Sequence, residues 1–149
     1  MKTIRHTLLS LVALLGLTAC THNDGDIGIW FGTWQIEDIT GATSDFGQAR
    51  TDNVDYYIQF QGEICTVMCI SSMHDQVVDY GTWHEDGDNL TISFPDREVT
   101  MRMLLDQLLQ GSLNQVFHFT VSRQSDKYVQ LKYTNPWGEE LTMHLRKSP

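Results

Sequence analysis

From Ile27 onward, apolar residues recur at every second position in short runs broken by turn residues, and this period-two pattern constrains the chain more than anything else in it. Side chains alternate across a strand, so each run carries one apolar face that other strands must help to bury. Residues 32–37 place Trp34 and Ile36 on one face. Residues 56–61 place Tyr56, Ile58 and Phe60 inward, Gly62 turns the chain, and residues 64–70 are apolar on both faces. Residues 80–84 and 89–94 flank Glu85-Asp86-Gly87-Asp88, an Asp-Gly turn between alternating runs and a strong hairpin signal. Later runs turn Phe117, Phe119 and Val121 inward, then Val129, Leu131 and Tyr133, then Leu141, Met143 and Leu145, with Asn135-Pro136-Trp137-Gly138 as a turn.

Two stretches depart from this pattern. Residues 41–53 are rich in Gly, Ser, Thr and Asp and predict a long loop. In residues 99–109, Met101, Leu104, Leu105 and Leu108 follow helical spacing, and Gly111 stands where a C-cap glycine is expected. Seven or eight antiparallel strands joined by hairpins, with one short helix, predict an all-β, up-and-down barrel; the alternative is an open sandwich.

The Gly32-Thr33-Trp34 element on the first strand, with Arg146 near the end of the last, resembles the lipocalin and wider calycin arrangement. Tyr80, Gly81 and Trp83 add a likeness to lipocalin-like lipoproteins of the Bacteroidetes, so that the resemblance covers residues 27–147. It implies a calycin-like β-barrel in which Gly32, Trp34 and Arg146 close the floor, a guanidinium lying over an indole face. Strict alternation groups Arg146 with Thr142 and His144 and points it outward, so the floor contact requires a bulge or strand end that re-aims it.

The amino terminus is organised differently. Lys2 and Arg5 precede an apolar run at residues 8–17, too short for a bilayer span of roughly 20 residues. Leu17-Thr18-Ala19-Cys20 resembles the lipobox of bacterial lipoproteins, which implies cleavage before Cys20 and its acylation with palmitate-type chains. The expected organisation is a signal peptide at residues 1–19, a lipidated Cys20 with a polar tether to residue 26, and a barrel domain at residues 27–149. The expected location is the cell envelope, anchored by lipid to the outer membrane on its periplasmic face or at the cell surface. The full chain carries 10 basic and 19 acidic residues, a net charge of −9; without Lys2 and Arg5 the remaining 130 residues stand at −11. That balance excludes nucleic acid as a partner and electrostatic attachment to an anionic leaflet. With 41% hydrophobic residues the chain is not a disordered one either.

Reactive groups are sparse. Cys65 and Cys69, in a regular strand, stand about 13 Å apart on one face at ~3.3 Å per residue, beyond the reach of a disulfide. They suit small buried side chains, a bridge across a local kink, or a metal or redox role, in that order. His22, His74, His84, His118 and His144 show no zinc-site spacing, and His84 beside Asp86 and Asp88 lacks the ligand order of a calcium loop. No nucleophile elbow or phosphate loop is present, so neither catalysis nor a metal or cofactor is expected. The aromatic residues are more informative. Tyr56, Phe60, Trp83, Phe94, Phe117, Phe119 and Tyr133, with Ile58, fall on inner faces and form either a packed core or the walls of an apolar pocket. Trp30, Phe31 and Trp137 are expected near the rims. The expected function is non-enzymatic binding or carriage of a small hydrophobic ligand; the alternative is a filled barrel whose outer face binds an envelope protein.

Overall fold

Eight strands hydrogen-bond in chain order and close into an antiparallel barrel. They are β1 (Gly32–Gly41), β2 (Val54–Gln61), β3 (Ile64–Ser71), β4 (Gln76–Asp86), β5 (Asn89–Ser93), β6 (Val116–Ser125), β7 (Tyr128–Thr134) and β8 (Glu140–Lys147). A 3-10 segment, Gly25–Trp30, precedes β1, and a helix, α1 (Leu104–Leu108), lies between β5 and β6. The computed structural model describes residues 25–41, 54–95, 104–111 and 113–149. The leader, Cys20, the start of the tether, the expected loop after Gly41 and the first half of the expected helix lie outside the described residues.

Pairing of β1 with β8 completes the barrel and leaves neither strand as an open edge. Trp34 faces Lys147 across this seam and Gln35 faces Arg146. A register shift between Ile36 and Asp38 moves the inward set of β1 from Trp34 and Ile36 to Ile39, all three buried. Around the rest of the wall the alternation holds. Ile58, Phe60, Cys65, Val67, Leu90, Ile92, Phe117, Phe119, Val129, Leu131, Leu141, Met143 and Leu145 are buried in one core cluster. Each large aliphatic or aromatic side chain buried this way contributes about 1.5–3 kcal/mol.

Gly81 marks a close approach. A Cβ there would collide with the Ser93 carbonyl and the Phe94 ring, where β5 ends against β4. The Gly62, Gly87 and Gly138 turns take the positive φ that tight connections demand.

Two local expectations change. Trp30, expected near a rim, is fully buried, because the 3-10 segment folds beneath β1 and carries it under the barrel; Phe31 and Trp137 are exposed, at 38% and 66%. The helix spans Leu104–Leu108 among the described residues and buries Leu104, Leu105 and Leu108. Its C-cap is a Schellman-type turn in which Gln110, not Gly111, takes the left-handed conformation, with φ of 52°. The Gly111 N–H donates to the Asp106 carbonyl at 2.8 Å. Gly111 is glycine for want of space, since a Cβ would collide with the Asp106 carboxylate.

Candidate ligand site: the barrel interior and its two ends

The floor is built from aromatic side chains of four elements. Trp30 lies 5.8 Å from Trp34 and 5.2 Å from Phe60, and Phe60 meets Trp83 edge-on at 5.1 Å, all centroid to centroid. Two indole N–H groups fix the frame. Trp34 Nε1 donates to the Trp30 carbonyl at 3.0 Å, and Trp83 Nε1 donates to the Gly62 carbonyl at 2.8 Å.

The expected floor arginine is not there. Arg146 points outward, as strict alternation requires, and pairs with Glu37 on the outer wall. The β1 bulge between Ile36 and Asp38 does not re-aim it. Lys147, one residue on and of inward parity with Leu145, supplies the cation instead. Its Nζ lies 5.5 Å from the Trp34 ring centroid and donates to the Ile29 carbonyl at 2.8 Å. Gly32 leads into β1 next to this lysine, with φ of 109°.

The expected lining residues separate into two groups. Phe60 and Trp83 belong to the floor. Phe94, Phe117, Phe119 and Tyr133 form a second aromatic cluster on the β5–β7 wall, with centroid separations of 5.7 to 6.1 Å. Ile58 sits between them in the core, and Tyr56 is half-buried against it. Ile58, Phe60 and Phe117 have no surface open to water, and Phe94 and Phe119 have 2% or less. These side chains pack on one another.

The opposite end is closed by α1. Leu104, Leu105, Leu108 and Leu109 join the barrel's own core cluster. Asp79 of β4 anchors the helix: it occupies the inward position opposite Val67, is 1% exposed, and accepts the Leu104 backbone N–H through Oδ2 at 2.6 Å. Asp106, also buried, accepts the backbone N–H groups of Leu113 and Asn114 at 3.2 and 3.0 Å, tying the helix to the chain entering β6. Asn114 in turn donates to the Tyr133 hydroxyl at 2.9 Å. Burial raises the pKa of the Tyr133 phenol; the Asn114 bond opposes the shift and the Asp106 charge adds to it. Asp79, Asp106, Lys147 and Trp30 were all missed as site residues. Parity with Trp83 and Leu145 was the available signal for Asp79 and Lys147.

Outside the barrel, a groove of about 670 Å³ runs along β6–β8, lined by Val116, His118, Thr120, Lys132 and Glu140 among others. Of the expected lining residues only Tyr133 reaches it. His118 bonds Thr91 Oγ1 at 3.1 Å, and His144 bonds the Tyr128 hydroxyl at 2.8 Å, both on the outer wall. Cys65 and Cys69 are free thiols, the first buried and the second partly so. Burial pushes both thiols up, and a Tyr56 hydrogen bond partly offsets this at Cys69. Among the described residues no cluster of three potential metal ligands occurs.

Residues 31–104 match the family model of a lipocalin-like domain. None of the curated proteins matches the sequence. The crystal structure of a lipocalin-like protein from Bacteroides uniformis superposes with a TM-score of 0.58 at 16% identity, covering 81% of this chain and 100% of that one. That of an uncharacterized protein from Bacteroides eggerthii gives 0.59 at 18% identity, covering 80% and 99%. With the closed eight-strand topology, these matches show that the chain has the fold of a lipocalin-like β-barrel.

Proposed function

We propose that this barrel binds and carries a small hydrophobic ligand, admitted at the end that α1 closes, and that it does so without catalysis. The observation that carries this reading is the difference between the two ends. The floor is locked by four interlocking aromatic side chains and by Lys147, drawn from β1, β2, β4, β8 and the 3-10 segment. The mouth is closed by α1, which places leucines in the core. Most of a helix's stability in a protein comes from the packing of its apolar face. Lifting α1 would vacate leucine-sized apolar volume in the core cluster that these leucines share with the strands. Burial of apolar ligand surface then supplies the affinity, ~25 cal/mol per Å² before association costs.

The protein acts, on this proposal, at the cell envelope, held to the outer membrane by acyl chains on Cys20. The lipobox-like Leu17-Thr18-Ala19-Cys20 supports the anchor. Metabolic acyl labelling tests it: Cys20→Ser is expected to lose the label and leave the membrane fraction.

Native mass spectrometry and solvent extraction of the purified protein test the carrier reading. A co-purifying apolar molecule, or uptake of an added one, is the expected result. A protein that arrives empty and takes up no apolar probe overturns it. One observation favours a second reading, a protein-binding outer wall. Ile64 and Tyr80 are 55% and 72% exposed on the outer face of β3 and β4, with Tyr57, Met68 and Val78 in register beside them.

A further inference from the structure

Among the described strand residues, Asp79 is the one carboxylate fully buried on the inner face of the barrel, in a core otherwise lined by apolar and aromatic side chains. A carboxylate in such surroundings is costly unless hydrogen-bond donors meet it. One of those donors is the Leu104 backbone N–H, at 2.6 Å, and Leu104 belongs to the helix that closes the mouth. Lid and carboxylate therefore form one device. When α1 lifts, its leucines vacate apolar volume and the Leu104 N–H leaves Asp79 at the same moment.

A ligand that replaces the lid must restore both losses. It needs an apolar body for the space left by the leucines, and at one end an N–H or O–H donor for the carboxylate. The geometry points to a donor-headed amphiphile, an ammonium before an alcohol, as the ligand class, with Asp79 accepting its head group. Acidic amphiphiles are selected against, because their carboxylate would bring a second acceptor where Asp79 needs a donor. Binding pockets of this kind combine largely apolar walls with a few placed polar groups. The inference rests on the carrier reading and goes beyond it by naming the head group and the residue that selects it.

Isothermal titration of the full chain with dodecylamine, dodecanol, dodecanoate and dodecyltrimethylammonium tests the assignment. Dodecylamine is expected to bind at least about tenfold more tightly than dodecanoate, with dodecanol between them. Dodecyltrimethylammonium, cationic but without an N–H, is expected to lose most of that advantage. Asp79→Asn keeps a side-chain oxygen for Leu104 and so preserves the lid; in it, dodecylamine is expected to fall to within about threefold of dodecanol. Equal affinities for the amine and the trimethylammonium would reflect only the acidic surface of a chain with net charge −9, and would overturn the assignment. So would an amine preference that survives Asp79→Asn. In both cases the alkyl chains still bind and the carrier reading stands. If none of the four binds, the carrier reading falls and this inference with it.

Discussion

Lys147 Nζ stands 5.5 Å from the centroid of the Trp34 ring while donating to the Ile29 carbonyl at 2.8 Å. One side chain thus joins the last strand, the first strand and the 3-10 segment beneath the floor. Its neighbour Arg146 makes an ion pair with Glu37 on the outer wall, where 63% of the Arg146 side chain is exposed to water. Lys147→Ala removes a cation–π contact and a charged hydrogen bond, so it is expected to lower unfolding free energy by about 1–3 kcal/mol. Arg146→Ala removes an exposed pair and is expected to cost less than about 0.5 kcal/mol. Urea denaturation of the two variants decides between them; a larger loss at Arg146 would mean that the outer pair, not the lysine, holds the seam.

The lid's C-terminus gives a second contrast, between adjacent residues. Gln110 holds φ at 52°, a conformation that costs a residue with a Cβ, whereas Gly111 has its Asp106 neighbour where a Cβ would go. Gln110→Gly is expected to be neutral or stabilising by up to about 1 kcal/mol. Gly111→Ala displaces the Asp106 carboxylate from the Leu113 and Asn114 amides and is expected to cost about 1–3 kcal/mol. Thermal unfolding of both variants checks the pair of signs.

What could be read in the sequence follows from how the residues are determined. Inward positions such as Ile58, Phe119 and Leu145 were legible because alternation is local and burial on one face enforces it. Arg146 was assigned to the floor by likeness to a family, although its own parity pointed outward; Lys147, two residues beyond Leu145, satisfied both parity and charge. Asp79 lies before residues 80–84, the stretch in which the alternation is read, although β4 itself begins at Gln76. What satisfies Asp79 is a backbone amide 25 residues away, a contact that no local pattern encodes. Trp30 was misplaced for a related reason: a short segment before the first strand carries no periodicity to say whether it folds under the barrel or away from it.

The two free thiols make stability depend on pH. The Cys65 thiol is held above its ordinary value of 9.0 by burial, and Cys69 is shifted the same way. Above about pH 9 the unfolded chain gives up a proton that the folded chain keeps, so alkalinity favours unfolding. Unfolding free energy is expected to be flat below that point and then to fall by about 1.4 kcal/mol per pH unit for a fully protected thiol. Tyr57 and Tyr133, also raised, add to the fall beyond their ordinary value of 10.0. Denaturation midpoints from pH 7 to 10.5 measure the slope, and Cys65→Ala is expected to reduce it despite a lower baseline. Peptide mapping after brief thiol labelling is expected to find Cys69 modified before Cys65, with the same result in reductant because both are free.

The lid makes a prediction that an ordinary core does not. Leu105 on α1 and Leu131 on β7 are both fully buried in the same cluster. Truncation of either to Ala is expected to destabilise by about 2–5 kcal/mol through lost burial and the cavity left behind. Their effects on ligand uptake should differ. Leu105→Ala thins the plug in the mouth and lowers the cost of lifting it, so affinity for a neutral apolar probe such as N-phenyl-1-naphthylamine is expected to rise by about tenfold. Leu131→Ala opens space in a wall that the lid still covers, and the same probe is expected to bind no more tightly than in the parent. Fluorescence titration at a temperature where both variants remain folded separates the two. Equal gains at both positions would mean that the probe follows any cavity; no gain at Leu105 would mean that α1 is core rather than gate.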